Sequence, residues 1–292
     1  IRKGYRMTAE EFVNEVQNSN QYYKEFEKEY KNFQIYQKKV AHTLQILHTM
    51  CEENGIHYQL AFGSLLGAIR DDGQIPWDYD VDIIIPTQER ENFIDCLKHN
   101  LPQDFYFYSV EQDSACEHFI TRVAPKGYDT HFLHVDVFYV AGLPENQTEA
   151  QKYKHEIKEL TLLYKAKKFD FRNKKTSSKK ELCNMVAYRI KGTLIKTDDI
   201  LRWYNRIATQ YPIEKSQRYC LADRFSDWYD FPSCTVFDTI LKNTTMGEFR
   251  IPREYDCILK KEYGNYMSVP SLESRMTEFK RHYNFLSTKC PL

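Results

Sequence analysis

Apolar side chains recur three and four positions apart through Val40-Ala41-His42-Thr43-Leu44-Gln45-Ile46-Leu47, the spacing that lines one face of a helix. The stretch from Thr8 to Asn54 therefore reads as helix, opened by a Thr8/Glu11 capping box, broken near Asn18 to Asn20 and closed by Asn54-Gly55. His57 to Phe62 is short and apolar and runs into Gly63-Ser64, which predicts a strand, a tight turn and a short helix from Leu65 to Arg70. A polar loop, Asp71 to Trp77, leads to the β-branched run Val81-Asp82-Ile83-Ile84-Ile85, stopped by Pro86, after which Thr87 caps a helix reaching about Lys98. Phe105 to Val110, Phe119 to Val123 and Phe132 to Val140 are three further strand candidates.

Beyond Pro144 the spacing turns helical, over Glu145 to Lys168, Ser178 to Lys191 and Thr197 to Gln210. The last third, with Thr235 to Phe237, Glu248 to Ile251 and the helix-like Arg253 to Tyr263, is expected to fold back on the sheet. The fold class is α+β: a mixed β-sheet core flanked by helices, with helical N-terminal and C-terminal additions. The division expected is a helical segment over 1–55, a catalytic core over 56–142, and a largely helical region over 143–292.

Charge narrows the partners. Lys plus Arg equals Asp plus Glu at 41 each, so no global field demands nucleic acid, and an anionic ligand must be met by a local cluster. One basic run, Lys165 to Lys180, has two readings: a solvated loop, or a patch that holds a phosphorylated or lipid-linked substrate. Eight cysteines without a C-x-x-C pair argue against structural zinc and for reduced thiols. No signal-peptide pattern and no run of 18 apolar residues occurs, so the expected location is cytoplasmic, with peripheral association at the inner face of a membrane left open.

The chemistry-bearing residues cluster around Trp77-Asp78-Tyr79-Asp80-Val81-Asp82. Asp78, Asp80 and Asp82 stand two apart at a strand entrance, so alternation directs all three to one face. Three like charges repel there unless a divalent cation such as Mg2+ or Mn2+ neutralises them; a solvated acidic turn is the alternative. An EF-hand loop is disfavoured because Ile83 stands where its glycine is required, and a dehalogenase-type site because the apolar strand follows the aspartates rather than preceding them. An Asp-x-Asp glycosyltransferase remains a competitor.

Upstream, Gly63 and Ser64 open a helix whose N-terminal amides and dipole suit a phosphate. Downstream, Asp136 interrupts the apolar strand His134-Val135-Asp136-Val137-Phe138, where an unpaired carboxylate would be expensive and a partner is expected. It reads as a third metal ligand, a base toward a hydroxyl, or half of a salt bridge. Arg122 lies on a strand expected beside Asp136, either to steady a phosphate or to form a surface ion pair. Trp77 and Tyr79 are candidates to line a donor pocket or to pack in the core.

Gly63-Ser64-Leu65-Leu66-Gly67-Ala68-Ile69-Arg70 followed by Gly73-Gln74-Ile75-Pro76-Trp77-Asp78-Tyr79-Asp80-Val81-Asp82 resembles the signature of the LicD family, within the nucleotidyltransferase-fold superfamily. That family includes bacterial phosphocholine transferases and relatives of fukutin and fukutin-related protein. Bacterial members usually carry a fourth acid where Tyr79 stands, and the Asp-Tyr-Asp-Val-Asp form is similar to the fukutin-related branch. His134 to Phe138 and Tyr255 to Pro270 resemble further family segments.

The resemblance implies a nucleotidyltransferase-like core and Mg2+ (or Mn2+) held by Asp80, Asp82 and Asp136, with Asp80, Asp82 and Asp136 also the catalytic set. It implies a CDP-activated alcohol donor, around which Gly63 and Ser64 are expected to cradle phosphate, Arg122 to steady the diphosphate or the CMP leaving group, and Trp77 to line the pocket. The reaction implied is transfer of phosphocholine from CDP-choline to a sugar hydroxyl of a cell-surface glycan or teichoic-acid-type, lipid-linked glycopolymer precursor, with release of CMP. CDP-ribitol or CDP-glycerol dependent transfer is the alternative.

Overall fold

Thr8 and Glu11 close their capping box reciprocally, the Thr8 N–H donating to Glu11 Oε2 at 2.7 Å and the Glu11 N–H to Thr8 Oγ1 at 3.1 Å. Helix α1 (Ala9–Asn18) follows. The computed structural model describes residues 7–19, 23–128, 132–172, 178–227, 229–290 and 292; residue 20, the end of the expected helix break, lies outside them. Helix α2 (Tyr23–Asn54) buries Phe26, Tyr30, Phe33, Val40, Leu44 and Leu47, a stripe at helical spacing, and at about 1.5 Å per residue it runs about 48 Å along the molecule.

Strand β1 (Gln59–Leu60), helix α3 (Phe62–Arg70), strand β2 (Val81–Pro86) and helix α4 (Arg90–Asn100) come next. Strands β3 (Phe105–Tyr108), β4 (Thr121–Pro125) and β5 (Val135–Leu143) complete the first part of a mixed sheet in the order β1-β2-β5-β4-β3. Strands β2 and β5 are parallel; β1–β2, β5–β4 and β4–β3 are antiparallel. The two parallel strands form the centre, with Val81, Ile83, Ile85, Val135, Val137 and Val140 all buried. Each such side chain contributes about 1.5–3 kcal/mol on burial, which fixes the register that the acidic residues share.

Helices α5 (Gln147–Lys168), α6 (Lys179–Lys191) and α7 (Thr197–Ala208) follow. The region after residue 143 is less helical than its spacing suggests. Strand β6 (Arg218–Leu221) pairs with the far end of β5, and β7 (Asp230–Pro232) with β6. After the short helix α8 (Cys234–Phe237), strands β8 (Thr239–Thr244) and β9 (Gly247–Pro252) make a separate hairpin. Helices α9 (Tyr255–Tyr263) and α10 (Leu272–Lys289) close the chain. Among the described residues no helix is long and apolar enough to cross a membrane.

One local expectation shifts. The helix begins at Phe62, so Gly63 and Ser64 lie in its first turn rather than in a preceding loop. The tight turn falls on Phe62, whose φ of 48° places a non-glycine residue in the left-handed region.

Candidate metal and substrate site

Register brings the acids together. In the parallel pair β2–β5, Asp82 stands directly opposite Asp136, and in the antiparallel pair β4–β5, Arg122 stands opposite Asp136. Arg122 Nε donates to Asp136 Oδ1 at 2.8 Å, and His134 Nε2 lies 3.2 Å from the same oxygen. These are the partners that a carboxylate inside an apolar strand requires. Burial disfavours charge on Asp136, but His134 and Arg122 outweigh it and hold the carboxyl below the usual carboxylate range.

Among the described residues Asp82 has no such partners. Burial comes first, and the charges of Asp136, Asp80, Asp78 and Glu262 add to it, pushing its carboxyl well above the ordinary value. Asp80 is pushed up to about 6, by desolvation and by the charge of Asp78. Its side chain reaches the surface, so solvent screens part of that push. Crowded, poorly neutralised carboxylates of this kind are oxygen donors suited to a hard divalent cation.

The loop from Asp71 to Asp80 is fixed from three sides. Gly67 permits the first contact: a Cβ there would meet the Gly73 carbonyl oxygen at 2.5 Å, so only glycine lets the loop lie on α3. Gln37 on α2 donates from Nε2 to the carbonyls of Ile75 and Asp78, at 3.2 and 2.7 Å. From the other end of the chain, His282 on α10 places Nδ1 3.1 Å from the Trp77 carbonyl and 3.4 Å from Asp78 Oδ1. The Ser64 hydroxyl accepts from the Asp82 N–H at 2.8 Å, tying α3 to the start of β2.

Asp78, Asp80 and His282 offer donor atoms all within 4.8 Å of one another. Arg281 Nη2 lies 2.7 Å from His282 Nε2, and a guanidinium only donates, so Nε2 accepts and Nδ1 carries the hydrogen aimed at Trp77 and Asp78. In this arrangement His282 orients Asp78 rather than offering a lone pair. The carboxylates of Asp78 and Asp80 are then the oxygen donors of that group, and Asp82 and Asp136 lie outside it.

Trp77 is buried, its ring 5.5 Å from that of Phe12 and flanked by the guanidiniums of Arg70 and Arg275 at 5.5 and 5.4 Å. Tyr79 is also buried, edge-on to His282 at 5.3 Å. Gly63 lies beside Asp78, whose Oδ2 would be 3.5 Å from a Cβ at that position, so the N-terminus of α3 adjoins the acidic loop. A separate cavity of about 480 Å³, lined by Arg90, Glu111 and Tyr204 among others, lies away from these acids. Its Arg90 is committed to Glu111 and the Phe119 carbonyl, a structural role.

Residues 55–183 match the family described as LicD/FKTN/FKRP, nucleotidyltransferase domain. That stretch of the chain is similar to a LicD-family domain. The chain is also similar to the lipopolysaccharide cholinephosphotransferase LicD of Haemophilus influenzae, 24% identical over 247 residues, which cover 80% of this chain and 90% of that protein. A shorter stretch of 66 residues is 36% identical to an uncharacterised protein of Rickettsia typhi, covering 22% of this chain and 21% of that one. Gly63, Ser64, Trp77, Asp80, Asp82, Arg122 and Asp136 all fall inside the LicD-matched stretch. Gln37, His282 and Glu262 lie outside it. Sequence reasoning missed them because no spacing links residue 37 or 282 to residue 78, and α10, which the Ser271 side chain caps, was not predicted.

Proposed function

We propose that this protein is a metal-dependent transferase, built on a nucleotidyltransferase-like core, that moves phosphocholine from CDP-choline to a sugar hydroxyl of a surface glycan or lipid-linked glycopolymer precursor. The observation that carries the reading is the in-register pair Asp82 and Asp136, with Asp78 and Asp80 at the strand entrance, within a stretch similar to a LicD-family domain. The similarity to a Haemophilus influenzae protein named as a cholinephosphotransferase supports choline over the other alcohols.

In this reading Asp80, Asp82 and Asp136 would hold Mg2+, with Asp78 beside them. A bound divalent cation supplies Lewis-acid polarisation of the diphosphate and offsets charge on the leaving CMP. The acceptor oxygen forms a bond to the phosphorus that carries choline, the bond from that phosphorus to the CMP oxygen breaks, and the hydroxyl proton passes to water or to the phosphate of the departing CMP. Because phosphoryl transfer depends on positioning and electrostatics more than on covalent help, the protein's work is to fix charges. Asp136 serves as a fixed anion: Arg122 and His134 both lie on Oδ1, and its low proton affinity suits a ligand better than a base. Arg122 positions Asp136, and Gly63 in the first turn of α3 would face the donor phosphates, while Ser64, buried and bonded to the Asp82 N–H, holds α3 against β2. A cytoplasmic location is part of this reading.

The test is CMP release from purified CDP-choline, CDP-ribitol and CDP-glycerol with Mg2+ and a cell-wall or capsular acceptor. CMP from CDP-choline supports the reading. Turnover of a CDP-polyol alone overturns the choline assignment, and nucleotide release only from a UDP-sugar overturns the phospho-alcohol reaction as well.

A further inference from the structure

An apolar stripe runs along the exposed side of α6, among lysines and Asn184. Leu182, Val186 and Ile190, four residues apart and hence on one helical stripe, are 40, 41 and 69% exposed, and Leu194 just past the helix end is 96% exposed. The opposite side of the same helix is satisfied: Met185 packs with Ala166 and Phe169, Tyr188 bonds Glu159, and Lys165 pairs with Glu181 at 3.0 Å. The exposed stripe is therefore not needed for the fold.

Charge surrounds it. From Lys165 to Lys196 the sequence holds eleven lysines and arginines against two acids, Asp170 and Glu181, in a chain of zero formal net charge. Lys179, Lys180, Arg189 and Lys191 are exposed on α6 itself. Trp203 on α7, 42% exposed, lines a groove with Glu159, the carboxylate that Lys191 also bonds, so an amphipathic ring stands near the same end of the helix.

We propose that α6 and its basic flanks dock the protein on an anionic lipid surface, the stripe entering the headgroup boundary and the lysines remaining at the phosphate level. An apolar ridge rimmed by lysines is the pattern of a helix lying in a bilayer interface, where long cationic side chains extend to lipid phosphates. A second copy is a poorer occupant, because pairing this patch with itself would oppose two strongly basic surfaces and lysine is depleted in protein interfaces. A soluble polyanion would use the charge and leave the ridge unexplained. The inference stands whichever donor the enzyme uses.

The experiment is co-sedimentation of the full chain with phosphatidylcholine vesicles, with and without about one-third phosphatidylglycerol, a headgroup that supplies the negative surface potential. Wild type is expected to bind only the anionic vesicles, and less at high salt. Leu182→Ser/Val186→Ser/Ile190→Ser and, independently, Leu194→Ser outside the helix are expected to weaken binding, the triple variant by about tenfold or more. Lys179→Gln/Lys180→Gln should weaken it several-fold. Circular-dichroism melts check that each variant folds, and the Leu194→Ser result stands if the triple variant does not. No binding overturns the proposal. Binding unaffected by the serine variants but removed by salt assigns the patch to a polyanion instead, and lipid-free dimers that the serine variants convert to monomers assign it to a second copy.

Discussion

Asp80 and Asp82 are carboxylates placed where ionisation is disfavoured, one by crowding and partial desolvation and the other by burial beside Asp136. Asp80→Asn and Asp82→Asn remove that repulsion without changing side-chain volume, so each variant is expected to melt at or above the wild-type temperature without metal. Each should lose metal-dependent turnover by about a hundredfold or more, the scale on which an essential charge acts. Wild-type turnover at limiting Mg2+ in either variant would remove that residue from the metal site. Asp136 behaves in the opposite sense, since Arg122 and His134 stabilise its anion. Asp136→Asn is expected to cost both stability and rate, whereas Arg122→Gln should cost about 1–3 kcal/mol by leaving a buried acceptor short of a donor, with a smaller loss of rate. An unchanged rate in a destabilised Asp136→Asn protein would make the residue a structural ion-pair partner only.

At the level of elements, the glycine that matters most is Gly67. A methyl at that position would press on the Gly73 carbonyl at 2.5 Å and on the Ile75 amide nitrogen at 3.0 Å. Both are backbone atoms of the loop that leads to Asp78. Gly67→Ala gains helix propensity of up to about 1 kcal/mol, but overpacking of this kind costs about 1–3 kcal/mol. The expected result is a lower melting temperature together with a loss of turnover larger than the destabilisation explains, measured on protein still folded at the assay temperature; unchanged activity would mean that the loop position does not set the site. Much of this element arrangement was legible in the sequence. Helix α2, strands β2 to β5 and helices α5 to α7 follow the apolar period closely, because each buries a regular stripe or face. Asp136 was legible as a residue needing a partner, since an apolar strand makes an isolated carboxylate costly. The start of α3 was misplaced by three residues, because the turn is made by Phe62 in a conformation that sequence rules reserve for glycine. Strands β6 to β9 were not legible as strands of a sheet: Arg218–Leu221 buries three successive residues without alternation, and what makes it a strand is the distant edge of β5. His282 escaped for the same reason, its role being created by tertiary contact alone.

On the scale of the whole molecule, the site is assembled from both ends of the chain. Gln37 on α2 and His282 on α10 hold the carbonyls next to Asp78, and β6 covers part of β5. A fragment limited to residues 55–183 therefore loses the long buried stripe of α2 and a strand partner, and is expected to lack a cooperative thermal transition; a sharp melt would show that the matched domain folds alone. The same assembly couples stability to pH. The Asp80 carboxyl is raised from the usual carboxylate range to about 6, Asp82 is also raised, and burial takes Glu262 up to about 7. A carboxyl with a raised folded-state pKa binds its proton more tightly when folded. Its stabilising contribution is therefore present in acid and lost as pH rises, through about 6 for Asp80 and about 7 for Glu262. Asp136, with a lowered pKa, contributes in the opposite direction: its share is present above the ordinary carboxylate range and lost as pH falls below it. In the proposed site a divalent cation would compete with protons for Asp80 and Asp82. Added Mg2+ is thus expected to raise the melting temperature little at pH 5 and more at pH 7.5, where both ligands are easier to ionise. At about a hundred times the dissociation constant the stabilisation is about 2.7 kcal/mol, on the order of 5 °C for a chain of this size. Asp80→Asn and Asp82→Asn should each flatten that pH dependence. A cation-induced shift that is equal at both pH values, or that survives both substitutions, would place the cation at another site and remove the metal role from these strands.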